Sequence, residues 1–301
     1  MRLADHCGVA LGDLASDDSR IWVLDGDLAD SDGAVHFAER HPERFLMSGI
    51  AEQTMVSVAA GMASCGFRPW VFSFAAFLCY RAYDQIRVTV AQARQPVTLV
   101  GSHSGGCSGR NGKTHAALND IAVMASLPGM HVWAPASPSE VRFACRTILD
   151  GHAPAYVRLP RRPLDELPCE PALAGWIGEP TRVAFAGTGL GTHLALEARA
   201  LLAGQGLHLG LLHCARVSPL PELVREALHG IDVLFVVEDH SVFGGLASLL
   251  LQAGAPTRII PIGWPMDWAA QSGDDLELLR MYGLSPDAIA ANVTEVLGRR
   301  G

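Results

Sequence analysis

Short, continuously apolar runs recur along this chain, each giving way to polar or glycine-rich residues and then to a helical period. Ile21-Trp22-Val23-Leu24, Trp70-Val71-Phe72-Ser73-Phe74, Val97-Thr98-Leu99-Val100, Ala155-Tyr156-Val157-Arg158, Val183-Ala184-Phe185-Ala186 and Val233-Leu234-Phe235-Val236-Val237 are the clearest. Runs of this length with no polar alternation suit strands buried on both faces, and helices between them build open α/β sheets. At 301 residues the chain is long enough for two such domains, each with its own core. From Pro160 to Pro180 it carries five prolines and little periodicity, the pattern of a surface linker. The expected division is a first domain over 1–165, a linker over 166–180 and a second domain over 181–301.

Charge and cysteine usage narrow the function classes. The formal charge is −8, and no basic patch with interleaved aromatics offers a nucleic-acid surface. No apolar run reaches the roughly 18 residues of a membrane span. Seven cysteines, an odd number with no Cys-x-x-Cys pair, suit reduced thiols. A cytoplasmic location is expected.

The richest stretch for chemistry runs from Gly49 to Asp84. Gly49-Ile50-Ala51-Glu52-Gln53 opens a helix whose apolar positions are Met55, Val56, Val58, Ala59, Met62 and Ala63, with Gly66 to end it. Glu52 falls at the helix start, where the macrodipole favours an acid in any protein. The strand Trp70–Phe74 follows, then Phe77, Tyr80 and Tyr83 at a spacing of three, which predicts three rings near one helical face. A buried carboxylate beside an aromatic wall can hold a flat heterocycle, although such a stripe is more often plain core.

Taken together, this stretch resembles the pyrimidine-binding domain of transketolases and 1-deoxyxylulose-5-phosphate synthases. The resemblance implies two doubly wound open-sheet domains: a thiamine-diphosphate pyrimidine-binding domain, then a transketolase C-terminal domain. It implies that Glu52 bonds the aminopyrimidine as a protonated acid in an apolar pocket, with Phe77, Tyr80 and Tyr83 around the ring. It places Asp27, from Asp25-Gly26-Asp27 at the end of the first strand, near the thiazolium, while Asp25 reads as a turn residue. Arg2 matches an arginine that contacts substrate phosphate.

After Val100 comes the loop Gly101-Ser102-His103-Ser104-Gly105-Gly106-Cys107-Ser108-Gly109-Arg110-Asn111-Gly112-Lys113-Thr114-His115. A polar loop this long after a buried strand reads as functional. His103 and His115, twelve residues apart, have no helical metal spacing. The resemblance makes them substrate-binding, with a catalytic part in the transfer, and it expects an aspartate where Asn111 stands. Arg158, at a strand end, matches a phosphate-binding arginine.

In the second half, Gly187-Thr188-Gly189-Leu190-Gly191 is a glycine turn of the dinucleotide kind. The next strand, however, leads to His213 rather than to an acid for a ribose. Glu238-Asp239-His240, Gly244-Gly245, Ser272-Gly273 and Tyr282-Gly283-Leu284 resemble the C-terminal domain, which carries no catalytic residue in the family.

The part of a full-length transketolase that binds the diphosphate and magnesium has no counterpart here. The resemblance therefore implies one subunit of a split transketolase, using thiamine diphosphate, with magnesium ligands supplied by an N-terminal partner subunit in a two-plus-two heterotetramer. The expected reaction moves a two-carbon ketol unit from a ketose phosphate to an aldehyde. The rival readings are a 1-deoxyxylulose-5-phosphate-synthase-like enzyme, a 2-oxoacid dehydrogenase β-subunit and a non-catalytic scaffold.

Overall fold

The computed structural model describes residues 1–267 and 271–298, with the backbone alone at Arg110. In chain order the strands are β1 Ile21–Asp25, β2 Phe45–Met47, β3 Arg68–Phe74, β4 Thr98–Ser102, β5 His131–Trp133, β6 Ala155–Arg158, β7 Ala174–Ile177, β8 Val183–Thr188, β9 Gly210–Cys214, β10 Arg216–Ser218, β11 Val233–Ser241 and β12 Arg258–Trp264. They form two sheets, of seven strands in the order β10-β5-β6-β4-β3-β1-β2 and of five in the order β12-β11-β8-β9-β7. Among the described strands, only the edge strands β10 and β7 run antiparallel to their neighbours, β5 and β9.

The continuous apolar runs become the sheet centres. All seven residues of β3 are buried. Its side chains alternate between two cores, as period-two geometry demands. Trp70 and Phe72 join Leu3, Leu11, Ile21 and Val141 on one face, and Val71 joins Leu24, Met55, Val56 and Ala59 on the other. The helix Leu3–Ala15 supplies the first face and the helix Glu52–Ser64 the second. In the first sheet the winding reverses between β1 and β3, with β2 on one side and β4 on the other. A doubly wound sheet opens its crevice at such a reversal, outside the carboxyl ends of the strands.

Two connections depart from the sequence expectation. The span 166–180 is not wholly a linker, because Ala174–Ile177 pairs with β9, Ala174 opposite Cys214 and Ile177 opposite Leu211. The chain then returns from the second sheet to the first, where Arg216–Ser218 adds an edge strand to β5. The glycine turn after β8 is no phosphate cradle. The Gly189 amide donates to the Ala134 carbonyl of the first domain, and a Cβ on Gly191 would lie 2.2 Å from the Val237 carbonyl oxygen.

The winding of the second sheet reverses between β8 and β11, and that end faces the first domain. Arg158 crosses the junction: Nε donates to Asp120 Oδ2 at 2.8 Å and Nη2 to the Asp239 carbonyl at 2.8 Å. Tyr156 donates to the same Asp120 oxygen at 2.8 Å. Asp239 Oδ1 in turn accepts from Trp264 Nε1 at 2.6 Å and from the Gly106 amide at 2.9 Å. With Arg158 3% exposed and Asp120 fully buried, removing either partner strands a buried charge. Arg158→Ala should therefore cost about 3–5 kcal/mol, read as a lowered urea midpoint. A loss below about 1 kcal/mol, the scale of a surface pair, would show that the two domains do not depend on it.

Candidate active site

Four stretches converge at the carboxyl ends of β1 to β4, beside the winding reversal. They are Asp27 after β1, Glu52 after β2, Phe74 and Phe77 at the end of β3, and His103 after β4. Asp27 and His103 both adopt positive φ, 70° and 53°. Non-glycine residues in that region carry local strain that a fold retains where side-chain direction matters.

Glu52 is the first residue of its helix and only 1% exposed. Its pocket is not wholly apolar. Arg81 Nη1 lies 2.7 Å from Oε2, and Ser73 Oγ donates to Oε1 at 3.4 Å. The Arg81 guanidinium also sits over the Phe77 ring, 4.4 Å from its centroid. From Phe77 the contacts continue without a break. Phe74 stacks on Phe77 at 5.8 Å and on His103 at 4.0 Å, and His115 meets Phe77 edge-on at 5.2 Å. Glu52, Phe77, His103 and His115 thus belong to one cluster, and Phe74 and Arg81 complete it.

Tyr80 and Tyr83 do not join Phe77. The expected helix opens as a π-turn, Phe77–Arg81, and resumes as a second π-segment over Ile86–Gln92. A π-turn holds more residues per turn than an α-helix, so a spacing of three no longer returns to one face. The Tyr80 hydroxyl accepts from the Asn119 amide at 3.2 Å, and the ring lines a cavity of about 590 Å³ with Lys113, Thr114, Ser241 and Met266. Tyr83 bonds Ser126 Oγ at 3.1 Å.

Arg158 is also misplaced by the sequence reading. Buried and committed to Asp120 and Asp239, it presents nothing to a substrate. Arg161, three residues on, is about half exposed, paired at 3.0 Å with Asp275, and close enough to depress the His103 pKa. Arg2 acts on His103 in the same way. Its own donors, however, go to Asp5 and to the carbonyls of Asp30 and Ser31, so it chiefly ties down the start of its helix.

Asp25 is more than a turn residue. It is fully buried, accepts from the Leu28 amide at 2.8 Å and faces Asp32. Burial, and then the Asp25 charge, hold the Asp32 carboxyl well above the usual carboxylate range. Asn111 is exposed on the short helical turn Gly109–Thr114, and His115 Nδ1 is 2.8 Å from Thr114 Oγ1. Among the described residues, no cluster of three His, Cys, Asp or Glu side chains could hold a metal ion, and no helix is long and apolar enough to cross a membrane.

The sequence missed Arg81, Phe74, Arg161 and Asp32. Phe74 looked like the last residue of a strand, and only the fold shows that the ring covers His103.

A crevice at the winding reversal, entered by an acid at a helix start, stacked rings and two loop histidines, defines a class that known proteins share. Residues 1–166 match the family Transketolase, pyrimidine binding domain, and residues 177–289 match Transketolase, C-terminal domain. The chain belongs to the transketolase family of thiamine enzymes and corresponds to their C-terminal section. A protein of Methanocaldococcus jannaschii described as a transketolase C-terminal section is 32% identical, over 96% of this chain and 94% of that one. A 6-deoxy-6-sulfo-D-fructose transketolase subunit of Clostridium sp. is 33% identical over 95% and 91%. A 1-deoxy-D-xylulose-5-phosphate synthase of Geobacter sulfurreducens is 33% identical over 97% of this chain but 48% of its own length. The solved structure of a split gene transketolase, an inactive beta4 tetramer, superimposes with a TM-score of 0.89 at 30% identity, covering 99% of both chains.

Burial, with Arg161, Arg2 and His115 nearby, pulls the His103 pKa down to about 4. At neutral pH its ring is uncharged, fitted to hydrogen bonding rather than to donating a proton. The imidazole should titrate near pH 4 by NMR. Below its ordinary pKa of about 6.5 the unfolded chain takes a proton that the folded chain refuses. His103 therefore withdraws stability as pH falls from about 6.5 to 4, and His103→Gln should flatten that part of the stability profile. A midpoint near 6.5 would show the ring to be solvated.

Proposed function

We propose that this chain is the C-terminal subunit of a split, thiamine-diphosphate-dependent transketolase that moves a two-carbon ketol unit from a ketose phosphate to an aldehyde. The observation that carries the reading is Glu52: a carboxylate 1% exposed, meeting a flat nitrogenous group that also lies on an aromatic ring. A pocket that already meets a planar guanidinium in this way offers an acceptor carboxylate and an aromatic face, which suit an aminopyrimidine protonated at its ring nitrogen.

In this reading Glu52 accepts the pyrimidine edge and exchanges a proton with its ring nitrogen. Phe77, backed by Phe74, would take the ring face, and Asp27, exposed after β1, would lie near the thiazolium part of the cofactor. Thiamine diphosphate, when bound, supplies an electron sink for breaking and making carbon–carbon bonds beside a carbonyl. His103 and His115 bind and orient substrate hydroxyls, with His103 as a neutral imidazole. Arg161, not Arg158, takes the substrate phosphate, and arginine suits that role through paired N–H donors. Magnesium and the diphosphate fall to an N-terminal partner in a two-plus-two assembly, and the enzyme works in the cytoplasm.

Synthase chemistry, with a 2-oxo acid as donor, stands as the second reading. Relatives of that kind match along 97% of the chain. Tyr80 and Tyr83 bond Asn119 and Ser126 rather than joining Phe77, so the ring spacing does not separate the two readings. Release of carbon dioxide from pyruvate, set against ketol transfer from xylulose 5-phosphate, separates the two.

Purified alone, the chain should bind thiamine diphosphate with magnesium weakly, and its partner should restore binding and turnover. In that complex Glu52→Gln should fold normally and lose about 100-fold or more in kcat. Tight binding by the isolated chain, or unchanged turnover of the variant, would overturn the assignment.

Asn111 sets specificity in this reading. Asparagine adds donor hydrogens where an aspartate would be an ionised acceptor for a substrate hydroxyl. Common pentose phosphates should be slow substrates, and Asn111→Asp should raise kcat/KM for xylulose 5-phosphate and ribose 5-phosphate by roughly 10-fold, or ~1.5 kcal/mol. A wild type already fast, with no gain from the aspartate, would make the position neutral.

A further inference from the structure

Arg81 meets the two requirements that a bound aminopyrimidine would have to meet. Its guanidinium is a flat N–C–N group that gives an N–H to Glu52 Oε2 at 2.7 Å and whose central carbon lies over the Phe77 ring, 4.4 Å from its centroid. Glu52 is 1% exposed while Arg81 is 43% exposed, so the carboxylate is capped from the solvent side by a group that has its own way out. The residue ends the π-turn Phe77–Arg81, and its carbonyl is held from the side by Gln53 Nε2 at 3.0 Å. Gln53 adjoins Glu52, so the start of the Glu52 helix and the turn carrying Arg81 are latched together.

We propose that Arg81 is an internal stand-in for the pyrimidine ring: it satisfies Glu52 and Phe77 in the chain as it folds, and the cofactor binds by turning it out to solvent. The idea rests on Glu52 being the cofactor's acid. A buried carboxylate stripped of its partner is costly, so the pocket keeps one cationic or N–H partner at all times. Arg81 and the ring compete for that post. When the binding-competent arrangement is only a fraction of the population, the apparent dissociation constant rises by the inverse of that fraction. Arg81 thus sets a threshold of cofactor below which the subunit stays closed on itself. The half-exposed cation costs little to release, because water solvates it as it leaves.

The test uses the full chain, with the bare aminopyrimidine half of the cofactor as probe and ligand-observed NMR as readout. Arg81→Met should bind the probe about 10-fold more tightly than wild type, a gain of ~1.4 kcal/mol. Glu52→Gln should weaken binding in both backgrounds. In the wild-type chain the Arg81 guanidinium resonance should pass from a protected to a solvent-like position as probe is added, which needs no variant and covers the case of a misfolded Met substitution. Equal, weaker or no binding by Arg81→Met, or a guanidinium signal that stays protected at saturation, overturns the stand-in. If Glu52→Gln still weakens binding in that case, the cofactor role of Glu52 survives. Binding indifferent to Glu52→Gln in both backgrounds would instead sink the Glu52 reading itself.

Discussion

The Arg158 guanidinium, buried between the Asp120 carboxylate and the Asp239 carbonyl, is the constraint on which the site loop depends. Burial alone would lower the Arg158 pKa, yet Asp120 beside it holds the guanidinium above its usual range. The charge therefore stays, and both domains must close around it. Closure brings the Asp239 side chain against the loop that carries His103, Asn111 and His115. There it accepts the Gly106 amide, while Asp275 accepts the Gly109 amide at 3.0 Å. The approach leaves no room for side chains. A Cβ on Gly105, itself at φ 80°, would fall 2.0 Å from Asp239 Oδ2, and one on Gly106 would fall 2.2 Å from the Trp264 ring. The second domain contributes none of the clustered side chains, but it fixes the path of the loop that presents two of them.

The fold was legible because its strands are buried on both faces, and a run such as Val71-Phe72 or Phe235-Val236 has no other home. Ala174–Ile177 escaped notice because an edge strand paired on one side needs little apolar sequence and sits among prolines and glycines. Arg216–Ser218 is three residues long and defined only by its partner β5. Within the site, Glu52 was legible from its own neighbours, since a helix start and its burial are local properties. The tyrosines were not: a period of three predicts one face only if the helix is regular, and the π-turn changes the register. Arg158 and Arg161 sit three apart in one segment, with nothing local to rank them. What decides between them is Asp239, 81 residues away.

The acids of the crevice show two ways of placing a carboxyl group out of water. Asp25 and Asp32 are both buried and close together, and two like charges there would repel in a medium that screens poorly. Burial pushes both upward, Asp32 the further. Glu52 solves the same problem with a cation. Its partner Arg81 is the one member of the cluster with substantial access to water and on a side chain long enough to leave.

Charge is unevenly distributed along the chain. The chain carries −8 overall, yet its fifteen-residue loop 101–115 contains Arg110 and Lys113 and no acid. Arg2 and Arg161 act on His103 from outside that loop, and the effect is strong enough to assist burial in keeping the ring neutral. Burial is the larger cause, and the cations that add to it, Arg2 and Arg161, are themselves paired with Asp5 and Asp275. The loop that the second domain holds in place thus carries cations and no acid of its own in a chain that is acidic overall.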